Sequence, residues 1–536
     1  MTLKTLILFF LFAATLFTTG CEKQTETTTP LEPGSVIYRG NGGEPGSLDP
    51  ALAEDIHAFN ILTDIYEGLV AESANGQIVP GVAKSWSVSD DGLVYTFSLR
   101  DSARWSNGEA LTSDDFVRAF RRVADPATAS VYGFLLEPIL NFVDIRDGKL
   151  SPDKLGVAAV DDLLLEIRLQ QPAPQLLAVL AMPVAFPVHR SAISSASFSD
   201  AERFVGNGAY TLTDYSMAGP VTLRRSATYW DAATVAVQQI VYLPIVNAMT
   251  ELNMYRAGEI DITHSIPAEH LDTLRTANPS QVRVSPYLAL YYLAFDVSEP
   301  PLDDARLRKA LNMAIDREAL VSLIGRGEQP AYGIVPGGVA GYSGSSFSWE
   351  NFSANERQRS ARALYRDAGF SDTAPLIIHY LYDTEDIHEK VALAISSMWR
   401  DTLGVEVTLE KREWQYFLET RDRRSDWQVM RFAWFGDYNH ASTFTNIFRT
   451  DDPQNLAGYG SEDYDQLLAL AAADTDPISQ AARIARAEQT LLEDAPVAPL
   501  YFYVSKHLVR PGIGGFEHNA LDRHPSKYLT WERKPQ

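Results

Sequence analysis

The chain has 536 residues, 46% of them hydrophobic and 11% aromatic, with a single cysteine and a formal net charge of −23 at pH 7. That length and apolar content suffice for roughly two to four domains with sizeable cores. The acidic balance excludes nucleic-acid backbones and anionic membrane surfaces as electrostatic partners, and one thiol excludes an intramolecular disulfide or a cysteine-paired metal site.

Lys4 and the apolar run Leu6 to Phe17 read as an export signal, shorter than the roughly 20 residues that cross a bilayer. The run ends in Thr18-Thr19-Gly20-Cys21, which is similar to a bacterial lipobox except that Thr18 stands where Leu is usual. Residues 1–20 are therefore expected to be a lipoprotein signal peptide, with Cys21 the acylated residue and two kinds of acyl chain as anchor. The polar, Pro-bearing stretch 21–33 reads as a flexible tether. No later segment holds about 18 consecutive apolar residues, so a soluble body is expected after it.

Strand signals come first. Leu93 to Leu99 and Leu163 to Leu169 place large apolar side chains at every second position, the latter after an Asp161-Asp162 turn. Between them, Phe116 to Val123 reads as a helix with Thr112 or Ser113 as N-cap and Asp125-Pro126 as its stop. Farther on, helices and strands alternate. Ala248 to Ala257 reads as a helix capped by Gly258 and followed by a strand from Ile260 to Ile262. Ala310 to Ile324 reads as one helix with Asp316 inside it. Ala361 to Ala368 with Gly369 precedes a strand from Leu376 to Leu381, and His388 to Leu403 with Gly404 precedes a strand from Val405 to Leu409. Such alternation points to α/β layers.

Catalytic motifs are missing. No phosphate loop of the G-x-x-x-x-G-K-[ST] type occurs, and Gly206-Asn207-Gly208 lacks the third glycine of a dinucleotide fingerprint. His388-Glu389 has no second His four residues after the first, and Gly341-Tyr342-Ser343-Gly344 misses the nucleophile-elbow spacing by one residue. A carboxylate pair among 69 acidic residues stays open as a hydrolase site, with nothing to single one out.

An ordered series of segments carries a family likeness. It runs EPGSLDP at residues 44–50, YEGL at Tyr66 to Leu69, PGVAKSW at Pro80 to Trp86, DGLVYTFSLR, WSNGEALTSDDF and RRVADPATAS. NGAYTL at Asn207 to Leu212, VYLPI with MYRAGEIDIT, LRKALNMAIDRE and DWQVMRFAWFGDY at Asp426 to Tyr438 complete it. From about Val36 onward the chain resembles the oligopeptide-binding proteins of ATP-driven importers, the bacterial extracellular solute-binding protein family 5. The resemblance implies a two-lobed, α/β, periplasmic-binding-protein-like fold of the large class, with mixed sheets, an extra inserted domain and a hinge between lobes. Lobe I would comprise residues 34–66, 191–287 and 505–536, the inserted domain II 67–190, and lobe II (domain III) 288–504.

A protein that accepts many peptides should recognise their constant groups, the backbone and the two charged ends. By the resemblance, Asp437 takes the α-ammonium, whose pKa of roughly 7.7–8.0 keeps it charged at neutral pH. Arg431 receives the carboxylate of a tripeptide-length ligand through its two-pronged donor, and His388 goes with longer ligands. Glu54 and Ile56 belong to a backbone segment alongside the peptide, Ala433 to its counterpart in the opposite lobe, and Trp414, Trp434, Tyr132 and Tyr503 to the aromatic walls. Each also has a plainer reading: a capping Asp, an internal salt bridge, a helix-surface His, core aromatics.

Two departures from relatives stand out. A disulfide found in some of them, near Tyr291, is replaced by Ala289 and Phe435, so packing must hold that contact. The Lys used for very short peptides falls near Ile324 to Arg326, with Arg326 a weak substitute. The resemblance implies no catalysis, no cofactor and no metal. It implies a short peptide ligand, an ABC permease with its ATPase subunits as partners, membrane contact only through the lipid anchor, a monomer, and a periplasmic or cell-surface location. Rival readings are a non-peptide cargo (oligosaccharide, murein peptide or metal chelate), a secreted hydrolase, and a receptor domain that hands ligand to a sensor.

Overall fold

The computed structural model describes residues 36–531 apart from 196–197, 340, 372 and 424–426. The chain divides into Met1–Pro33 and Gly34–Gln536, and every described residue belongs to the second unit. Cys21 and the tether lie outside the described residues.

One four-stranded sheet has the spatial order Val36–Gly40, Gln239–Leu243, Val221–Arg225, Tyr210–Tyr215, its first pair parallel and the rest antiparallel. The expected strand at Ile260 to Ile262 is reduced to isolated bridges from Ile262 to Arg39 and Val509. The cause is Asp261, whose carboxylate accepts the Tyr38 N–H at 2.9 Å and pairs with Arg510 at 2.8 Å, competing with ladder formation.

A second antiparallel sheet runs Ala83–Val88, Val94–Leu99, Leu164–Arg168, Val157–Asp161. Its alternation is kept: Tyr95, Phe97 and Leu99 turn inward with Leu165 and Ile167. The helix Ser113–Ala124 buries Phe116, Phe120 and Val123 against this core. At its start the Asp115 carboxylate accepts the Thr112 N–H at 3.0 Å.

The third sheet has six strands in the order Gln329–Pro330, Val497–Leu508, Val282–Phe295, Val429–Phe435, Ile377–Asp383, Glu406–Arg412. Its two long strands, Val282–Phe295 and Val497–Leu508, run antiparallel from a small core around Leu252, Val282 and Leu508 into a large one that includes Leu290, Leu293 and Leu500. Their register slips between Pro286 and Leu290. Ala289 pairs with Phe435 across the ladder, so the two positions that replace a disulfide are direct neighbours. The single helix expected over Ala310 to Ile324 is two, Ala305–Ala314 and Arg317–Ile324. Ile315 is extended, and Asp316 caps the second helix by accepting the Ala319 N–H at 3.0 Å.

Two large apolar cores result, one gathered around Ile37, Phe97 and Leu223 and the other around Leu290, Tyr380 and Trp399. Among the described residues no helix is long and apolar enough to cross a membrane.

Candidate functional site

The Val429–Phe435 strand supplies the centre of the site. It pairs with Val282–Phe295 along its whole length, but with Ile377–Asp383 only at Val429 and Met430. The neighbour leaves the sheet at Asp383, whose carboxylate accepts the Glu385 N–H at 3.1 Å as the helix Asp386–Leu403 begins. Gly436 donates to Leu288 at 2.7 Å and Gln428 accepts from Asp296 at 2.9 Å, so the even-numbered residues face Val282–Phe295. Antiparallel alternation then turns the N–H and C=O of Ala433 and Phe435, beyond the last pair with Ile377–Asp383, to the other side. No strand among the described residues pairs there.

Asp437 comes directly after Gly436, where an added Cβ would lie 3.1 Å from Thr443 and 3.3 Å from Leu288, so a side chain there would make those neighbours shift by a few tenths of an ångström. The Asp437 main chain is fixed by Thr443 Oγ1, which accepts its N–H at 3.4 Å, and by Arg523 Nη2, which donates to its carbonyl at 2.8 Å. Burial pushes the carboxyl up to about 6, against the opposing effects of the Arg523 charge and a hydrogen bond from the Tyr132 hydroxyl. Tyr132 is pushed up in turn to about 12, by burial first and then by the Asp437 charge, and Glu54 lies within electrostatic reach of it.

Asp437 and Trp434 line a cavity of about 450 Å³ together with Phe134, Glu137 and Asp452. Among the described residues, no Lys, Arg or His lines it. The Trp434 indole N–H is buried without an acceptor among the described residues. A desolvated carboxylate beside an unused donor suits a ligand that carries both a cation and a carbonyl.

Segment 44–55 is held by side-chain hydrogen bonds. Asp55 accepts the Gly46 N–H at 2.9 Å and the Ala58 N–H at 2.8 Å, while Asp49 accepts from Arg122 at 2.7 Å. Glu54 stays exposed, and Ile56 opens the helix Ile56–Ile65, partly buried against the first core.

A second group lies at the other end of the strand. Arg431 is buried and ion-paired with Asp383, whose other oxygen is 2.7 Å from His388 Nδ1. The guanidinium also lies over the Phe417 ring at 5.1 Å. Burial, with a contribution from the Arg326 charge, holds His388 below the usual imidazole range. Tyr291 stacks on Tyr501 at 4.7 Å and lies 5.5 Å from His388. Tyr503 joins this group to the strand through Phe435, 5.2 Å away. Trp414 opens the helix Trp414–Arg423, and its side chain lies outside the described residues. Asp437, Tyr132, Glu54 and Trp434 are thus gathered at one end, Arg431 and His388 at the other, with Ala433 on the strand between and Tyr503 against Phe435.

The family model described as bacterial extracellular solute-binding proteins, family 5, middle, matches residues 77–455. The chain is 38% identical over 486 residues to the periplasmic oligopeptide-binding protein OppA of Escherichia coli K12, covering 90% of this chain and 89% of that protein. The chain belongs to solute-binding family 5. The probable deoxycholate-binding periplasmic protein YgiS of E. coli K12, another similar protein, is 37% identical, with 94% of each chain covered. Among solved structures, the unliganded open form of the murein tripeptide-binding protein MppA matches with a TM-score of 0.86 at 35% identity, covering 94% of this chain and 98% of that one. A second structure of E. coli MppA matches at 0.77. The α/β, two-lobed periplasmic-binding-protein fold of the family is therefore that of this chain.

In this family 5 protein, Arg523, Asp383 and Asp452 escape sequence reasoning. Arg523 donates to Glu72 at 3.0 Å as well as to the Asp437 carbonyl, bringing three distant segments to one point. No local pattern announces it. Asp383 has a signal, since an Asp closing a strand just before a helix is a natural cap, but its pairing with Arg431 needs the fold.

Proposed function

We propose that this family 5 protein captures short peptides between its lobes and delivers them to an ABC-type permease driven by separate ATPase subunits, without a catalytic step of its own. The observation that carries this reading is the Asp437 carboxylate, desolvated in a cavity with no basic lining among the described residues, beside a strand edge at Ala433 and Phe435 that no described strand pairs with. Asp437 takes the peptide ammonium. The edge at Ala433 and Phe435 takes its backbone by strand addition, and the Trp434 indole offers one more donor to a ligand carbonyl.

Arg431 is already neutralised by Asp383, so the ligand carboxylate is held less firmly than the amine, which suits tolerance of length. Tyr132 and Tyr503 form walls, with Trp414 as a further wall residue. Glu54 and Ile56 lie on the segment facing the peptide, and His388 meets longer ligands. Residues 34–66, 191–287 and 505–536 act as lobe I, 67–190 as an inserted domain and 288–504 as lobe II. Cys21 anchors the protein to the membrane, on the periplasmic or cell-surface side. An anionic sterol such as the name of YgiS indicates for that protein would meet the carboxylates of Glu137, Asp437 and Asp452 without a basic partner in the cavity. Murein peptides remain within the class proposed.

Calorimetric titration of chain stripped of copurified ligand by unfolding and refolding tests this. Tri- and tetrapeptides with free amines bind, N-acetylated ones do not, and Asp437→Asn loses roughly 3–5 kcal/mol, about two to four orders of magnitude in affinity. Equal binding of free and acetylated peptides by folded protein overturns the amine anchor.

A further inference from the structure

His507 sits near the end of the Val497–Leu508 strand, and Asp522 and His524 flank Arg523 on the C-terminal segment. His507 Nδ1 faces the Thr263 carbonyl at 2.8 Å and its Nε2 faces Asp522 Oδ1 at 2.7 Å. Both of those partners accept hydrogen bonds and neither donates. With the Nδ1 proton given to Thr263, Nε2 must present either a second proton or a cation to the carboxylate. His524 Nε2 lies 3.1 Å from the same oxygen, and its Nδ1 is buried with no partner among the described residues. One ring nitrogen of each histidine and one carboxylate oxygen lie within 4.8 Å of one another.

These are the donors of a three-ligand metal centre. A tetrahedral ion with ligands at roughly 2.0–2.2 Å keeps its donor atoms about 3.3–3.5 Å apart, so the observed 2.7 and 3.1 Å separations need to open by about 0.2–0.8 Å. The contact that orients a metal-bound imidazole through its second nitrogen is present for His507, while His524 is held by its ring face and carbonyl instead. Thr263 fixes the tautomer of His507, Phe516 stacks on His524 at 3.8 Å, and Arg39 Nη1 holds the His524 carbonyl at 2.8 Å. The two imidazole rings are almost fully buried, whereas the Asp522 side chain is 19% exposed, which leaves a solvent path for entry and for a water ligand.

We propose that His507, Asp522 and His524 bind one divalent transition ion of the Zn²⁺ type. Two imidazoles and a carboxylate favour Zn²⁺ or Ni²⁺ over Mg²⁺ and Ca²⁺, which prefer all-oxygen sites. On binding, the Nε2 proton of His507 leaves to solvent and the nitrogen lone pair goes to the ion. The ion would then tie the long strand to the segment whose Arg523 grips the Asp437 carbonyl. The site stands apart from the peptide reading and does not rest on it.

Equilibrium dialysis of the full chain against Zn²⁺, with metal analysis of the retained protein, is the test. The expected result is one tightly held Zn²⁺ per chain, unaffected by excess Mg²⁺. His524→Ala, which leaves the His507 to Asp522 contact in place, and Asp522→Asn should each weaken it at least about tenfold, with circular dichroism checking that both variants fold. No retained Zn²⁺, or retention unchanged in whichever variant folds, would overturn the proposal and assign any binding to surface carboxylates.

Discussion

At Asp437, burial raises the cost of carrying a charge, and a ligand ammonium is what would recover that cost. The sign of each consequence is set by the carboxyl being pushed up to about 6 from an unfolded value of 3.8. Above about 6 the folded, unliganded chain carries the full penalty of an ionised buried group, and below the unfolded value both states are protonated and the penalty vanishes. Asp437→Asn should therefore raise the Tm of the unliganded protein at pH 7.5, with the gain shrinking toward zero near pH 4; a gain independent of pH would contradict this origin. Peptide affinity should be flat between about pH 6 and the amine pKa of about 8. On the acid side, where Asp437 must release a proton for each peptide bound, it should fall by nearly tenfold per pH unit. Calorimetry across pH 4.5–7.5 checks the slope.

The strand Val429–Phe435 shows what an element adds to its residues. Its apolar run and the flanking Arg431 and Asp437 are legible in the sequence, but its open edge is not, because that depends on where Ile377–Asp383 departs. The edge gives a prediction of its own. Alternate residues of an added strand bond to it, so N-methylation of successive backbone positions in a tetrapeptide should alternate between a loss of about tenfold and little change. Uniform tolerance, measured by the same titration, would argue against strand addition. Elsewhere, local rules are good guides where they act alone, as in the alternation of Tyr95, Phe97 and Leu99 and the cap at Thr112. They fail where a side chain competes with the main chain. Asp261 withdraws Ile260 to Ile262 from a strand, and Asp316 splits one expected helix into two.

Across the whole molecule, the site is assembled from residues that the sequence keeps far apart. Tyr132, Asp437 and Arg523 meet only because the chain returns to its first core after building the second. Motif likeness could point to Asp437, but no spacing rule could find Arg523 or the carboxylates of the cavity. Capture between lobes would require them to close over the ligand, a shift that only a ligand bound more tightly by the closed state can drive. A crystal structure of the protein grown with a free-amine tripeptide tests the central claim most directly. The account predicts the peptide ammonium within about 3 Å of the Asp437 carboxylate, with the peptide backbone hydrogen-bonded along Ala433 to Phe435. A peptide bound elsewhere, or bound with its amine away from Asp437, would contradict it.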